Sequence, residues 1–171
     1  ASFNMSNQPE LITLTELPIA IVVLIISALG ILVIDNKKAF LLGVLATIIS
    51  AILMVIVTFL FKQDQVGPVI WMIGSGFSVY LPYILFHCLL FERLLAFLQY
   101  KGTVGFLFYV ADALGYLASV GILIYKEFFY THSSWVEFFT WLNLGGGVLI
   151  VMLVFVLLWN IKVFSPKLQL K

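Results

Sequence analysis

The stretch Ala39–Phe61, AFLLGVLATIISAILMVIVTFLF, runs 23 residues without a charge and is bracketed by Lys38 and Lys62. A helix rises about 1.5 Å per residue, so a run of this length crosses the roughly 30 Å hydrocarbon layer of a bilayer. Its apolar residues do not alternate with polar ones, which excludes a barrel strand. Only helices and closed barrels satisfy every backbone group in lipid, so the run predicts a transmembrane helix.

Four further stretches meet the same test. They are 17–34, with Pro18 in its first turn where a missing N–H costs little; 66–91; 103–125, interrupted only by Asp112; and 138–161. Together with 39–61 they predict an all-α bundle of five transmembrane helices in one unit. The segment Leu94–Lys101 is too short to span and is expected as an interfacial turn or short helix. Connections of a few to about a dozen residues predict that consecutive helices are antiparallel neighbours.

Composition agrees. The chain is 63% hydrophobic and 10% charged, against about one-quarter charged in a soluble domain. Nine Lys and Arg nearly cancel eight Asp and Glu, so there is no basic surface to neutralise a run of phosphates, and nucleic acid is not an expected partner. A single cysteine, Cys88, allows no internal disulfide. The leading residues Ala1–Gln8 are polar and lack the layout of a signal peptide. A processed N-terminus and the trailing part of a longer protein are both open.

Orientation follows from the basic residues. Lys37, Lys38, Arg93, Lys101, Lys162, Lys167 and Lys171 fall on one side and only Lys62 and Lys126 on the other, where Glu10, Glu16, Asp64, Glu127 and Glu137 gather. This predicts a multi-pass protein of the cell membrane with the N-terminus outside and the C-terminus in the cytoplasm. Trp71 and Trp135 near outer helix ends fit an interfacial aromatic belt.

An ionisable side chain at bilayer depth is costly unless paired or hydrated, which singles out Asp112. Helical spacing puts Tyr109, Asp112, Tyr116 and Ser119 on one face of the fourth helix. Gly76, Tyr80, Tyr83 and His87 share a face of the third. Asp112 reads either as a proton-titrating or substrate-contacting carboxylate or as a structural acid, and His87 more readily as a packing histidine than as a proton relay. With the third span ending at Phe91, His87 lies close to the cytoplasmic end and Asp112 deeper. The expected partner of Asp112 is therefore Tyr83 or Tyr80, not His87.

Pro82 is expected to kink the third helix and free a carbonyl near Ser78. Ala111, Gly115 and Ser119, and the run Gly145–Gly147, are read as close-packing surfaces, and Asn143 as a hydrogen-bonding group between helices. Glu92 and Arg93 face the turn at Asp35–Lys38. No metal-ligand spacing, Ser/His/Asp set or phosphate loop occurs. The chain is accordingly expected to be no enzyme and to hold no metal or cofactor.

The turn Gly30-Ile-Leu-Val-Ile-Asp35-Asn-Lys37-Lys38 resembles a degenerate form of the cytoplasmic loop motif of the major facilitator superfamily, with Lys38-Ala39 where the motif continues Gly-Arg. The stretches Thr13–Pro18, Tyr80-Leu-Pro-Tyr83, Phe91-Glu92-Arg93 and Gly105–Tyr116 look more specifically like an uncharacterised, facilitator-like membrane family known only as a domain of unknown function. The resemblance covers about Leu11 to Phe164. It implies the last five of twelve helices, an incomplete C-terminal half whose partners are the lipid bilayer, an unknown small solute and the missing N-terminal half. It also implies part of a secondary transporter, with Asp112, Tyr80, Tyr83, Tyr116 and His87 along the substrate or proton path, and Gly30, Asp35, Lys37 and Lys38 in the loop motif. The competing reading is a non-transporting membrane subunit or scaffold whose polar stripes hold helices together. A transporter's stripe faces a water-accessible cavity, and a scaffold's is dry.

Overall fold

The computed structural model describes residues 9–99, 102–130 and 134–168. Lys101, His132 and Lys171 lie outside them, as do the side chains of Glu10, Lys162 and Lys167, so the charge count behind the orientation is only partly placed. The described residues form five helices: α1 (Pro9–Ile31), α2 (Asn36–Lys62), α3 (Pro68–Leu98), α4 (Val104–Phe129) and α5 (Trp135–Leu168). Four, α2, α3, α4 and α5 over Trp135–Asn160, are long and apolar enough to cross a membrane, while α1 has a shorter apolar helix over Thr15–Ile31. The molecule is an all-α, multi-pass helical bundle.

Two boundaries differ from the sequence reading. The first span was expected to reach residue 34, but α1 stops at Ile31, because Asp35 starts the next helix: its extended backbone lets Oδ1 accept the Lys38 N–H at 3.0 Å. The third span does not end at Phe91. Helix continues to Leu98, taking in most of the segment read as an interfacial turn.

The order of helices in space also departs from the sequence order. Among the described residues α1 packs chiefly on α3 rather than on α2, α2 lies between α3 and α5, and α4 meets α3 chiefly over its last turns, 91–98, with further contacts at His87 and at Trp135 of α5. Short loops permit neighbours but do not compel them. Side-chain fit decides, and it is best where Ile19 and Val23 of α1, Phe40 and Val44 of α2, Leu81, Leu85 and Leu90 of α3 and Val154 of α5 close into one apolar core.

Close approach occurs at Gly43, Gly74, Gly76 and Gly147. A Cβ on Gly43 would collide with the Leu90 side chain, and one on Gly147 would sit 2.5 Å from Val55 Cγ2 and 3.1 Å from the Ala51 carbonyl. The packing expected of the Gly145–Gly147 run is thus found at Gly147. It is not found on α4, where a Cβ on Gly115 would meet nothing within 4 Å. That helix has few neighbours to approach.

Two polar contacts inside the bundle join helices. The Trp71 Nε1–H donates to Thr58 Oγ1 at 3.3 Å, and Asn143 Nδ2 donates to Ser75 Oγ at 3.3 Å, the interhelical bond expected of Asn143. Trp71 is buried and stacked on Phe61, not spread in an aromatic belt, because Thr58 gives its indole N–H a partner in the interior. Trp135 is exposed at the start of α5, where the belt reading places it.

The contrast between the α5 glycines is measurable. Gly147→Ala is expected to destabilise the detergent-solubilised protein by about 1–3 kcal/mol through overpacking. Gly145→Ala, in open space, should be neutral or stabilising by up to about 1 kcal/mol. Thermal unfolding of the two variants checks the difference.

Candidate functional site

The site begins with a local fault in α3. Pro82 has no N–H to donate, and the helix runs through it, then changes register one turn later. Phe86–Leu90 form a π-helical turn, closed where the Phe91 N–H donates to the Phe86 carbonyl five residues back. Such insertions turn the following side chains to a new direction. His87 lies inside this turn.

Both nitrogens of His87 are engaged. Nδ1 lies 3.0 Å from the Tyr83 carbonyl and Nε2 lies 2.9 Å from Asp112 Oδ1. A carbonyl only accepts, so Nδ1 carries a hydrogen, and the proton that remains to be placed lies between Nε2 and Oδ1. On the imidazole it makes an ion pair, and on the carboxyl it makes a neutral hydrogen bond.

This pairing corrects the sequence reading, which gave Asp112 a tyrosine partner. The expectation put His87 near a helix end because α3 was taken to stop at Phe91. With α3 continuing to Leu98, His87 stands about 16 Å from that end, and Asp112 about 12 Å from the start of α4 at Val104. The two residues are level.

Aromatic rings fix the imidazole. Phe108, one turn before Asp112 on α4, stacks on it at 5.3 Å and 10°, and the Tyr83 ring lies 4.3 Å away on α3. Phe91 packs against Phe108 at 5.6 Å. The sequence reading missed Phe108 and Phe91. Their signal was the four-residue spacing from Asp112 and from His87, which sets them on the same faces.

The pair opens on a cleft of about 530 Å³ between α3 and α4, lined by Tyr83, Phe86, His87, Phe91, Asp112 and Tyr116, with Ala111, Gly115 and Ser119 on the α4 wall. The Asp112 side chain is 40% exposed and Tyr116 is 76% exposed. Four of the five pathway candidates, Asp112, Tyr83, Tyr116 and His87, therefore meet. Tyr80 does not. Three residues before Tyr83, it lies about 60° around the helix and lines a separate, mostly apolar groove of about 640 Å³ with Glu16, Ser27 and Cys88.

The loop-motif candidates cluster at the other end of α1. Asp35 caps α2, and the Lys38 N–H on its carboxylate, aided by the Lys37 N–H and both lysine charges, holds it below the ordinary carboxylate range. Lys37 and Lys38 are exposed, and Gly30 faces Leu89. Arg93 reaches this turn as expected, but through Asn36 Oδ1 at 2.6 Å and the Ile34 carbonyl at 3.4 Å rather than through Asp35. Among the described residues no three His, Cys, Asp or Glu gather as a metal site.

A family model described as "Family of unknown function (DUF5690)" matches residues 1–163. No curated protein and no solved structure matches the chain.

Two measurements follow from this geometry. In a double-mutant cycle of His87→Asn and Asp112→Asn, thermal unfolding should return a coupling of at least about 0.5 kcal/mol; strict additivity would mean the contact contributes nothing. For Asp35 the folded pKa is depressed, so its contribution is complete above the ordinary carboxylate range and is lost as pH falls through the lowered value. Asp35→Asn should therefore flatten the acid limb of melting temperature against pH while retaining a cap.

Proposed function

Since the chain belongs to this family of unknown function, we propose its role from its own residues: it is part of a facilitator-like secondary transporter of a small solute, and the His87–Asp112 pair is its proton-responsive element. The observation that carries this reading is the position of the pair, deep between two apolar helices and open to a cleft rather than enclosed. Polar contacts that only join helices look different in this molecule. Thr58 is fully buried against Trp71, and nothing comparable covers Asp112 or Tyr116.

The chemistry supports coupling. While the proton is shared, the pair is neutral and tolerable in a low-dielectric setting. When it leaves, Nδ1–H stays on the Tyr83 carbonyl, so a lone pair of Nε2 faces a carboxylate and the contact weakens. An uncompensated carboxylate at this depth is expensive and must gain water or a cation. Loss of one proton thus biases α3 and α4 to separate, the kind of two-state element alternating access requires. The open face of α4 is consistent with a second half of the carrier standing against it. The excess of Lys and Arg on one side supports an outside N-terminus in a cell membrane.

The test is accessibility in the membrane. In full-length protein with Cys88→Ser, single substitutions Ala111→Cys and Ser119→Cys should react with a membrane-impermeant thiosulfonate reagent. Leu117→Cys, exposed on the face of α4 turned away from the cleft, should stay unreactive. If the cleft positions react no faster than Leu117→Cys, the cleft is dry and the scaffold reading replaces this one.

A further inference from the structure

The walls of the cleft carry one carboxylate and several aromatic faces, and among the described residues no Lys or Arg lines it. We infer that its ligand is a hydrophobic organic cation, such as a substituted ammonium, held by Asp112 and by the rings of Tyr83, Phe86, Phe91 and Tyr116. This rests on the transporter reading and narrows it to a class of substrate.

Three features of the site select this chemistry. First, Asp112 has spare capacity. Its Oδ1 meets His87, whereas Oδ2 has no partner among the described residues and the side chain reaches the cleft. Second, the rings offer negative π-faces around that charge, a setting that attracts cations within about 6 Å of a ring centroid. The imidazole of His87 already occupies such a setting, between the Phe108 and Tyr83 rings. Third, the alternatives lack recognition. An anion would find the carboxylate and no fixed cation. A polyol would find few free hydrogen-bonding groups, since Ser119 Oγ already donates to the Gly115 carbonyl.

Charge accounting links this ligand to the proton. The groups facing the pair are Tyr83 and His87 from α3 and Asp112 and Tyr116 from α4, while Cys88 lines the other groove and Arg93 is turned to Asn36. When the cation pairs with the Asp112 carboxylate, the proton held between Nε2 and Oδ1 leaves for water through the cleft. One positive charge enters and one departs, so the site stays neutral. Oδ2 can receive the cation, but the carboxylate's single negative charge balances either the cation or the proton shared with His87, which makes protons and ligand competitors. That competition is the signature of exchange.

The experiment is equilibrium binding of radiolabelled tetraphenylphosphonium to the full chain in nanodiscs. Saturable binding is expected, tightening as pH rises, as competition with the proton requires. Asp112→Asn should weaken it at least tenfold and Asp112→Glu should largely retain it. Phe91→Leu should weaken it about three- to tenfold, and Leu117→Ala, on the far face of α4, should leave it unchanged. His87→Asn should flatten the pH dependence. The Glu and Leu variants keep the test decisive if Asp112→Asn fails to fold. Absent binding, binding indifferent to both Asp112→Glu and Phe91→Leu, or preference for benzoate, with thiol-reactive cleft positions, overturns the cation assignment and leaves the transporter reading standing. An unreactive cleft overturns both.

Discussion

Hydrocarbon supplies no hydrogen bonds, and each polar group carried into it must find a partner within the protein or in water that the protein admits. The architecture answers this constraint at several levels. Backbone groups are closed in helices. The Trp71 indole reaches Thr58, Asn143 reaches Ser75, and Arg93 near the end of α3 holds the turn between α1 and α2 through Asn36 and Ile34. His87 and Asp112 answer it for the two most costly side chains, each satisfying the other.

The pair is possible because of two irregularities in α3. Pro82 interrupts the hydrogen-bond ladder, and the π-helical turn at Phe86–Leu90 follows it directly. The Tyr83 carbonyl then serves as the fixed acceptor for Nδ1, and that single contact settles the imidazole tautomer. A local backbone feature thereby decides where the mobile proton lies.

Packing concentrates elsewhere. The core binds α1, α2, α3 and α5, with Gly43 and Gly147 bringing helices within side-chain reach. The α4 helix stands outside this core. Of its residues only Lys126 is buried, and its face at Tyr109 and Tyr116 is exposed. It is held at the last turns of α3, at the His87–Asp112 contact and at Lys126 beside the Trp135 ring, and is largely exposed between them. The cleft exists because α4 is not sealed against the bundle.

Much of the fold was legible in the sequence, because a span is a property of length and hydropathy alone. The runs at Ala39–Phe61 and its counterparts needed no tertiary information to read as helices. The same logic picked out Asp112, since charge in an apolar run is visible by itself, and helical spacing grouped Tyr83 with His87 and Asp112 with Tyr116. The pairing was not legible. It depends on how far α3 continues past Phe91, and residues such as Glu92, Arg93 and Gln99 make that end ambiguous in hydropathy. Neither the separation of Tyr80 into another groove nor the stacking of Phe108 on His87 could be derived from one helix at a time. Composition and periodicity determined what crosses the membrane and which polar residues it carries; only tertiary packing decided which of them meet, because axial level and rotation are set by contacts between helices.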